Sequence, residues 1–490
     1  MGFSPVDYAI VTCYLLGVTL AGSLLAGRQR SARDYFLGGK RLPWWAVGFS
    51  IVASETSTLT FISVPGLAFR SDMHFLQLVF GYFIGRVLVA WLFIPAYYRG
   101  DLETAYDFLG RRFGLPVRRL TSAVFIVTRV LASGVRLFAT AIPVHLVTGL
   151  GYAESIALIG ACTIVYTYAG GLKAVVAMDV VQLAVYLAGA VASMALILHA
   201  LPGGWSDVAA LAVQGGANKF EILNLSWGGS VAGFLGSPYT LVGSLLGGTF
   251  LTMASHGTDQ LLVQRLLGCR SARESRKALL LDASFIVLQF AFFLLLGLAL
   301  FAFYGGKTYG ALGLGSSDEV FPSFIVHSLP AGLAGLLVAG ILASAMGTLS
   351  SSISSLASSS YLDLYRLARK NAVEDPALEM RASRLLTLAW GVVLVGGAML
   401  FTDTTNPVIE LGLRIASVTY GGLLGTFFLG LFFSETGARD AVAGLFAGLA
   451  AMALVIFYST IDYTWHTLIG CVATIVVGNL SARLFPAGTQ

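Results

Sequence analysis

The amino-acid sequence predicts an all-α polytopic membrane protein with about thirteen transmembrane helices. Hydrophobic residues make up 57% of the 490 residues and charged residues only 11%, and the mean hydropathy is +0.81. Soluble domains carry roughly 25% charged residues, so this chain cannot build a water-exposed surface. Apolar runs long enough to cross about 30 Å of hydrocarbon recur from Val6 almost to the C-terminus. Basic residues lie mostly in the loops at alternate ends of these runs.

The apolar runs leave no room for a soluble domain, so we expect a single transmembrane domain over residues 1–490. The first run lacks a basic segment before it and a small-residue cleavage site after it, which favours a mature helix over a signal peptide. The expected spans cover residues 6–26, 44–69, 75–98, 121–150, 153–169, 174–200, 231–255, 279–303, 330–361, 383–402, 406–433, 438–458 and 463–482.

The distribution of lysine and arginine predicts the orientation of the spans. The ends of the odd-numbered spans carry most of the basic residues, including Arg265 after the seventh span. The ends of the even-numbered spans carry only Arg70, Lys219 and Lys307. Short cytoplasmic loops are rich in lysine and arginine, so this count places the N-terminus outside and the C-terminus inside a cell membrane. A wrong count would mix the two sides, so the asymmetry also supports the number of spans.

Several classes of function are disfavoured. The net charge of +5 does not indicate nucleic-acid binding, because the basic residues lie in short loops between apolar runs. The four cysteines are far apart and form no CxxC or His/Cys cluster, so neither a disulfide framework nor a zinc site is expected. No HExxH or GxSxG motif is present, which argues against an enzyme. The lipid bilayer is the expected environment, and no obligatory protein partner is evident.

Two spans are interrupted at matching places. Small and polar residues at 53–58 break the second span, and glycines followed by residues 255–259 interrupt the seventh. These spans are five apart in order, as expected if residues 44–200 and 231–433 form two inverted repeats, with 1–43 and 434–490 peripheral. Broken helices at matching places in two halves indicate a substrate site near the middle of the bilayer. The residues expected there are Glu55, Ser57, Thr60, Arg129, Ser255 and His256.

The ninth span carries a stripe of hydroxyl groups. Ser344, Thr348, Ser351 and Ser355 are spaced to share one helix face. Sodium is a hard cation that prefers oxygen ligands, and the broken second span would offer free carbonyl groups beside such a stripe. Small hydroxyl residues also simply let membrane helices approach closely. Spacing alone leaves these two interpretations equally open.

Charged residues within spans are expensive and usually face a cavity or a partner. Asp179 is either a carboxylate near the cytoplasmic interface or a cation ligand. Glu55 is able to bind a cation, a substrate amine or a proton, or to pair with a buried arginine. Arg129 and Arg136 are seven residues apart, hence on one helix face, and a guanidinium group there suits either a substrate carboxylate or a structural partner. His256 is more typical of a hydrogen-bonded structural residue than of a proton relay.

Five stretches together resemble the sodium:solute symporter family. They occur in the order and spacing typical of that family, from residue 34 to about residue 365, and the number of spans agrees. The stretches are 34–45 (DYFLGGKRLPWW), 104–114 (TAYDFLGRRFG), 170–182 (GGLKAVVAMDVVQ), 257–265 (GTDQLLVQR) and 339–365.

The resemblance implies a leucine-transporter-type fold, with the five-plus-five repeat in spans 2–11, and sodium symport by alternating access. It implies Na⁺ as the only cofactor, bound principally by Ala53, Thr56, Ser344, Gly347 and Thr348. Gly347 departs from the family pattern, which usually has a hydroxyl residue there. The resemblance also implies a possible second sodium site at Asp179, Ser350 and Ser351. Glu55 stands at a position that is acidic in the proline-transporter branch.

The substrate is less well defined by the sequence. Ser255-His256 stands where sugar-transporting members have an aromatic gate, which argues against a sugar. Sialic-acid-type members have a carboxylate-binding arginine on the fourth span, near Arg129. We therefore expect a small carboxylate-bearing solute, such as an amino acid, a sialic acid or a short organic acid. A sodium/sugar symporter, a proton-coupled carrier and, less readily, a membrane sensor are the alternatives.

Overall fold

A computed structural model of the chain is built of α-helices joined by short loops. It describes residues 3–25, 27, 29–56, 58–216, 218–368, 375–400 and 408–485. The α-helices within these ranges are α1 Pro5–Leu24, α2 Ala32–Leu37, α3 Trp44–Glu55, α4 Thr58–Arg70, α5 Phe75–Arg99, α6 Ala105–Phe113, α7 Leu115–Thr148, α8 Tyr152–Ala200, α9 Trp205–Ala212, α10 Val231–Gly236, α11 Leu241–Gly257, α12 Gln260–Leu267, α13 Ala272–Phe303, α14 Val320–Ser328, α15 Leu333–Ser359, α16 Arg366–Ala368, α17 Pro376–Ala398, α18 Val408–Phe432, α19 Ala438–Tyr458 and α20 His466–Leu484.

Eight helical segments of the described chain are long and apolar enough to cross a membrane. The bent pair α3 and α4 adds a ninth if it counts as one span. Two spans expected from the sequence, 153–169 and 174–200, form the single 49-residue helix α8, in which Gly171 has non-helical dihedral angles (φ 55°, ψ −155°). Two other expected spans lie on the 17-residue α11 and on α17, and the first turn of α17 carries Glu379.

The second expected span is broken where its polar residues predicted. Helix α3 ends at Glu55, α4 begins at Thr58, and the two helices are bent by 59°. Thr56 lies between them with non-helical dihedral angles (φ −73°, ψ 80°). The seventh span ends in a similar break: Asp259 follows α11 and accepts a hydrogen bond from the Leu261 amide at 2.9 Å, capping α12. A carboxylate is a favourable cap for the start of a helix.

Helix α15 lies at the centre of the bundle. In its most apolar stretch 89% of the residues are buried, against 28% in α1, α19 and α20. It packs against α7 and α8 and also contacts α3. The hydroxyl stripe on α15 is therefore enclosed by other helices, and α1, α19 and α20 lie at the periphery.

Glycines bring α5 and α11 into close contact. A Cβ atom on Gly81 would lie 2.7 Å from the Leu245 carbonyl oxygen and 2.8 Å from that of Ser244. Gly248 on α11 meets α5 in the same way, at the Leu78 carbonyl. Small residues at helix interfaces allow this approach in membranes, where packing replaces the hydrophobic effect as the force between helices.

We expect Gly81→Leu to lower the thermal stability of the purified protein in detergent. The new side chain would collide with backbone atoms of α11, and overpacking of this kind costs roughly 1–3 kcal/mol. Gly17→Leu is the matched control, because a Cβ atom on Gly17 meets nothing within 4 Å. Equal melting temperatures for the two variants would show that α5 and α11 are not in this close contact.

Candidate functional site

The residues expected to form the principal sodium site lie together at the break after α3. Ser344 on α15 donates a hydrogen bond from Oγ to the Thr56 carbonyl oxygen at 2.6 Å. Thr348, one turn further along α15, donates from Oγ1 to the Ser344 carbonyl oxygen at 3.0 Å. A cavity of about 180 Å³ adjoins these groups and is lined by Ala53, Thr56, Gln182, Leu183, Tyr186, Ala343 and Ser344. The break and the hydroxyl stripe are thus in direct contact.

Gly347 faces this region, and oxygen atoms of neighbouring helices lie close to the position that a side chain would take. A Cβ atom there would lie 3.0 Å from Gln182 Oε1, 3.4 Å from Asp179 Oδ1 and 3.9 Å from the Ala53 carbonyl oxygen. All three are oxygen atoms, the ligand type that sodium prefers. The glycine that departs from the family pattern is therefore surrounded by oxygen atoms from α3 and α8.

The sequence singles out Gln182 only as the last residue of the stretch 170–182. Its Nε2 and Oε1 atoms are both buried, and neither has a hydrogen-bond partner among the described residues. The hydroxyl groups of Tyr14 and Tyr166 approach it without forming an ordinary hydrogen bond. Buried polar groups are usually satisfied, so the Gln182 amide, which lines the cavity beside the break, is a candidate ligand group.

The residues of the expected second sodium site also lie together. Asp179 accepts hydrogen bonds at Oδ2 from Ser50 Oγ at 2.5 Å and from Arg265 Nη2 at 3.0 Å. Ser350 and Ser351 both donate to the Gly347 carbonyl oxygen, at 3.0 and 2.5 Å. Asp179 Oδ1 is buried and has no hydrogen-bond partner among the described residues. One carboxylate oxygen is thus engaged and the other remains available.

Arg265 is fully buried beside Asp179, although its position in the sequence suggested a cytoplasmic loop. The break at Asp259 lets α12 run inside the bundle, and from there Arg265 Nη2 also donates to Ser351 Oγ at 2.5 Å. A guanidinium group therefore contacts two residues, Asp179 and Ser351, of the expected second sodium site. Hydropathy alone does not reveal this, because α12 is short and carries polar residues.

Two of the polar residues expected in the substrate site belong to an ion network. Glu55 forms a close ion pair with Arg86, which is fully buried on α5. His256 Nε2 lies 3.4 Å from Glu55 Oε1, and its Nδ1 lies 2.9 Å from Ser255 Oγ. Glu55, Ser255 and His256 are therefore neighbours. Thr60 is buried on α4 and does not line the cavity beside the break. Ser57 lies outside the described residues.

The two arginines of the fourth span have different surroundings. Arg129 forms a close ion pair with Asp259, and the Tyr420 hydroxyl donates to the same carboxylate at 2.6 Å. Arg136 makes no ion pair with any carboxylate in the described part of the chain. It lines a cavity of about 270 Å³ together with Thr58, Ser133, Leu137, Thr140, Ala345, Thr348, Leu349 and Ser352.

This second cavity has the chemistry of a site for an anionic solute. Five of its lining residues carry hydroxyl groups, and Arg136 supplies a guanidinium group whose Nε has no hydrogen-bond partner among the described residues. Thr348 belongs both to this wall and to the residues expected to bind sodium.

Comparison with known proteins supports a common fold. The solved structure of a Na⁺-coupled sialic acid symporter, in a substrate-bound outward-open state, superposes with a TM-score of 0.88 at 27% identity and covers all of both chains. The closed conformation of Mhp1, a nucleobase-cation-symport-1 family transporter, gives a TM-score of 0.55 at 14% identity and shares the fold alone. The chain therefore has the leucine-transporter-type fold that its motifs implied.

Sequence comparison agrees. The sodium/sialic acid symporter NanT of Aliivibrio fischeri is 28% identical over 99% of this chain and 94% of its own length. SiaT of Proteus mirabilis is also 28% identical, over 100% of this chain and 97% of its own length. The human sodium/iodide cotransporter is 31% identical over 99% of this chain and 76% of its own length.

A family model, the sodium:solute symporter family, matches residues 35–448. Symporters move the coupling ion together with the solute, so sodium is a co-substrate and not the cofactor expected from the sequence. The chain belongs to the sodium:solute symporter family and is a multi-pass membrane protein that transports a solute coupled to sodium, not an enzyme.

Proposed function

We propose that this protein carries a small carboxylate-bearing solute into the cell together with sodium, and that Arg136 binds the carboxylate. The observation that carries this proposal is the Arg136 guanidinium group, which faces a hydroxyl-lined cavity and has no carboxylate partner in the described chain. A guanidinium group offers two parallel hydrogen bonds to a carboxylate. Arg136 replaces Arg129 in this role, because Asp259 already pairs with Arg129.

The names of the relatives agree with an anionic solute. Two of them transport sialic acid, which carries a carboxylate, and a third transports iodide, a monovalent anion. Both solutes would need a positive group in the site. Glu55, Ser57, Thr60, Ser255 and His256 remain predicted contacts for the rest of the solute.

We also propose the sodium sites, from the oxygen atoms that lie near the break after α3. The principal ion would be held by the carbonyl groups of Ala53, Thr56 and Ser344 and by the side chain of Thr348, with Gln182 Oε1 in place of the hydroxyl that Gly347 lacks. A second ion would use Asp179, Ser350 and Ser351. The solved sialic acid symporter is described with a novel Na⁺ site, which supports looking for more than one ion here.

Alternating access fits the proposed topology of thirteen spans, with an external N-terminus and inverted repeats at residues 44–200 and 231–433. Sodium from outside would stabilise the outward-open state through differential affinity. The solute would then bind against Thr348 and Arg136, and both would be released inside after the repeats rock about the site. The membrane potential contributes about 2.3 kcal/mol per charge per 100 mV.

Uptake into proteoliposomes tests the proposal directly. Imposed sodium and proton gradients are compared, with panels of amino acids, sialic acid, short organic acids, iodide and sugars as solutes. Carboxylate uptake that needs the sodium gradient supports the proposal. Uptake that is driven equally by protons without sodium, or that is confined to sugars, contradicts it.

We expect Arg136→Gln to weaken solute binding at least about 30-fold, which corresponds to about 2 kcal/mol for a charge pair left without its partner. Arg136→Lys should recover part of this loss, because an ammonium group keeps the charge but not the two parallel hydrogen bonds. The measurement is solute-dependent thermal stabilisation in the presence of sodium.

Arg129→Gln is the matched control for this prediction. It should lower the stability of the solute-free protein by about 3–5 kcal/mol, because Asp259 is left buried and unpaired. Unchanged solute binding in Arg136→Gln would exclude Arg136 as the carboxylate ligand. A specific loss of binding in stable Arg129→Gln would assign that role to Arg129.

The proposed ligand role of Gln182 predicts a rescue. Gln182→Ala should raise the sodium concentration needed for half-maximal stabilisation by about tenfold, as losses around a metal site commonly do. The double variant Gln182→Ala with Gly347→Ser should recover much of this affinity, because the serine hydroxyl would fill the space of the lost amide. Gln214→Ala, at an exposed residue of a short 3₁₀ helix, is the matched control. Normal sodium dependence of Gln182→Ala would exclude the amide as a ligand.

A further inference from the structure

Four hydroxyl groups in the lining of the cavity beside Arg136, which we call the Arg136 cavity, form two short hydrogen-bonded chains. Ser133 and Thr140 lie on α7, three residues before and four residues after Arg136, so the three side chains share one face of that helix. Ser352 lies on α15, and Thr58 is the first residue of α4. We call these four hydroxyl residues the hydroxyl cluster.

The first chain runs from α7 to the backbone of α15. Ser133 Oγ donates to Ser352 Oγ at 2.9 Å. Ser352 Oγ in turn donates to the Thr348 carbonyl oxygen at 3.0 Å. A hydroxyl group has one hydrogen atom and two lone pairs. Both hydrogen atoms of this chain are therefore engaged within the protein, whereas each of its two oxygen atoms retains a lone pair that accepts a further hydrogen bond.

The second chain follows Arg136 along α7 and is built in the same way. Thr140 Oγ1 lies 3.0 Å from Thr58 Oγ1 and 3.0 Å from the Arg136 carbonyl oxygen, so its one hydrogen atom has two acceptors within reach. Thr58 Oγ1 donates to the Ile341 carbonyl oxygen of α15 at 3.3 Å. Here too, each hydrogen atom has an acceptor within the protein, and lone pairs on the oxygen atoms remain.

The hydroxyl cluster is thus a set of hydrogen-bond acceptors. To donate to a solute, one of its hydroxyl groups would have to leave its present acceptor, and a buried polar group without a partner is costly inside a membrane. Accepting a hydrogen bond requires no such change, because lone pairs are free. The Arg136 guanidinium group has the opposite character, since it donates and never accepts. The cavity therefore offers one strong donor and several acceptors.

We propose that the Arg136 cavity selects carboxylates that also carry neutral hydrogen-bond donors, such as hydroxy acids or acids with amide N–H groups. This selectivity rests on the proposed binding of the carboxylate by Arg136. An acid with a plain alkyl chain would fill the cavity but leave the lone pairs of the hydroxyl cluster unpaired. Sites that hydrogen-bond a hydroxyl group discriminate strongly against an analogue that lacks it. The hydroxyl cluster then determines which carboxylates are transported.

Charge distinguishes a neutral donor from an ammonium group. None of the described residues that line the cavity carries a carboxylate. A hydroxy acid brings one negative charge and neutralises the Arg136 guanidinium group, whereas a zwitterionic amino acid has no net charge and leaves the guanidinium charge uncompensated. The ammonium group of an amino acid would also lie in the same cavity as the guanidinium group, and like charges repel. A hydroxyl or amide donor avoids this repulsion.

The selectivity is tested by solute-dependent thermal stabilisation of the full-length protein in detergent with saturating sodium. Propionate, lactate and alanine differ in one substituent, which is a hydrogen atom, a hydroxyl group or an ammonium group. Hexanoate and gluconate form a longer pair, without and with hydroxyl groups. Lactate should bind about tenfold more tightly than propionate or alanine, and gluconate about tenfold more tightly than hexanoate, because acceptors left unpaired in a dry site weaken binding.

Thr140→Val removes one acceptor of the hydroxyl cluster and keeps the shape of the side chain. It should lower the preference for lactate over propionate about fivefold and leave propionate binding unchanged, because propionate makes no hydrogen bond to this hydroxyl group. Thr121→Val is the matched control. Thr121 also lies on α7, is buried and donates to the Val117 carbonyl oxygen at 2.8 Å, but it does not line the cavity. This control should keep the wild-type preference.

The outcomes separate the selectivity from carboxylate binding itself. If no carboxylate of the panel stabilises the wild-type protein in sodium, the proposed function fails, and the selectivity fails with it. If propionate binds as tightly as lactate and hexanoate as tightly as gluconate, the selectivity alone is overturned and carboxylate binding stands. Tighter binding of alanine than of lactate also overturns it, because an ammonium group is then preferred. A preference for lactate that persists unchanged in Thr140→Val overturns the role of the hydroxyl cluster.

Discussion

The hydrogen bond from Ser344 to the Thr56 carbonyl holds together the part of the fold on which the site depends. A chain that breaks inside a membrane exposes backbone groups, and these must be satisfied by protein because no water is present in hydrocarbon. The hydroxyl stripe of α15 meets this requirement at 2.6 Å. The polar residues that end α3 thus depend on α15, because the break frees carbonyl groups that the α15 hydroxyls must satisfy. The same freed carbonyl groups and hydroxyls are the ligands that a sodium ion needs.

Buried charge imposes a second constraint. Arg86, Arg129 and Arg265 each lie against at least one carboxylate, as expected where an unpaired ion would be very costly. Against this background Arg136 is unusual, because it faces a cavity and has no such partner in the described chain. The contrast between paired and unpaired arginines separates residues that hold helices together from one that is available to a ligand.

Much of the fold follows from local sequence properties. Apolar length predicted the helices, and the six small or polar residues at 53–58 predicted the break between α3 and α4. The division of α8 is less visible, because its two expected spans join through Gly171. The sequence could not show which arginine of α7 has a carboxylate partner, because Arg129 and Arg136 share a helix and a residue type. Only the tertiary placement of Asp259, 130 residues away along the chain, distinguishes them. Arg265 was misplaced for a related reason, because a short polar helix inside a bundle resembles a loop in hydropathy.

In the proposed sodium site, Gln182 would supply the oxygen that a hydroxyl residue at the position of Gly347 provides in the family pattern. A Cβ atom there would lie 3.0 Å from Gln182 Oε1, so a hydroxyl residue at this position would require the amide to shift by a few tenths of an ångström. An amide oxygen from α8 reaches the space that a side chain on α15 would otherwise fill. The oxygen would then come from a different helix, which ties α8 to the break in α3. Because Thr348 faces both this region and the Arg136 cavity, an ion held here would also order one wall of the solute site.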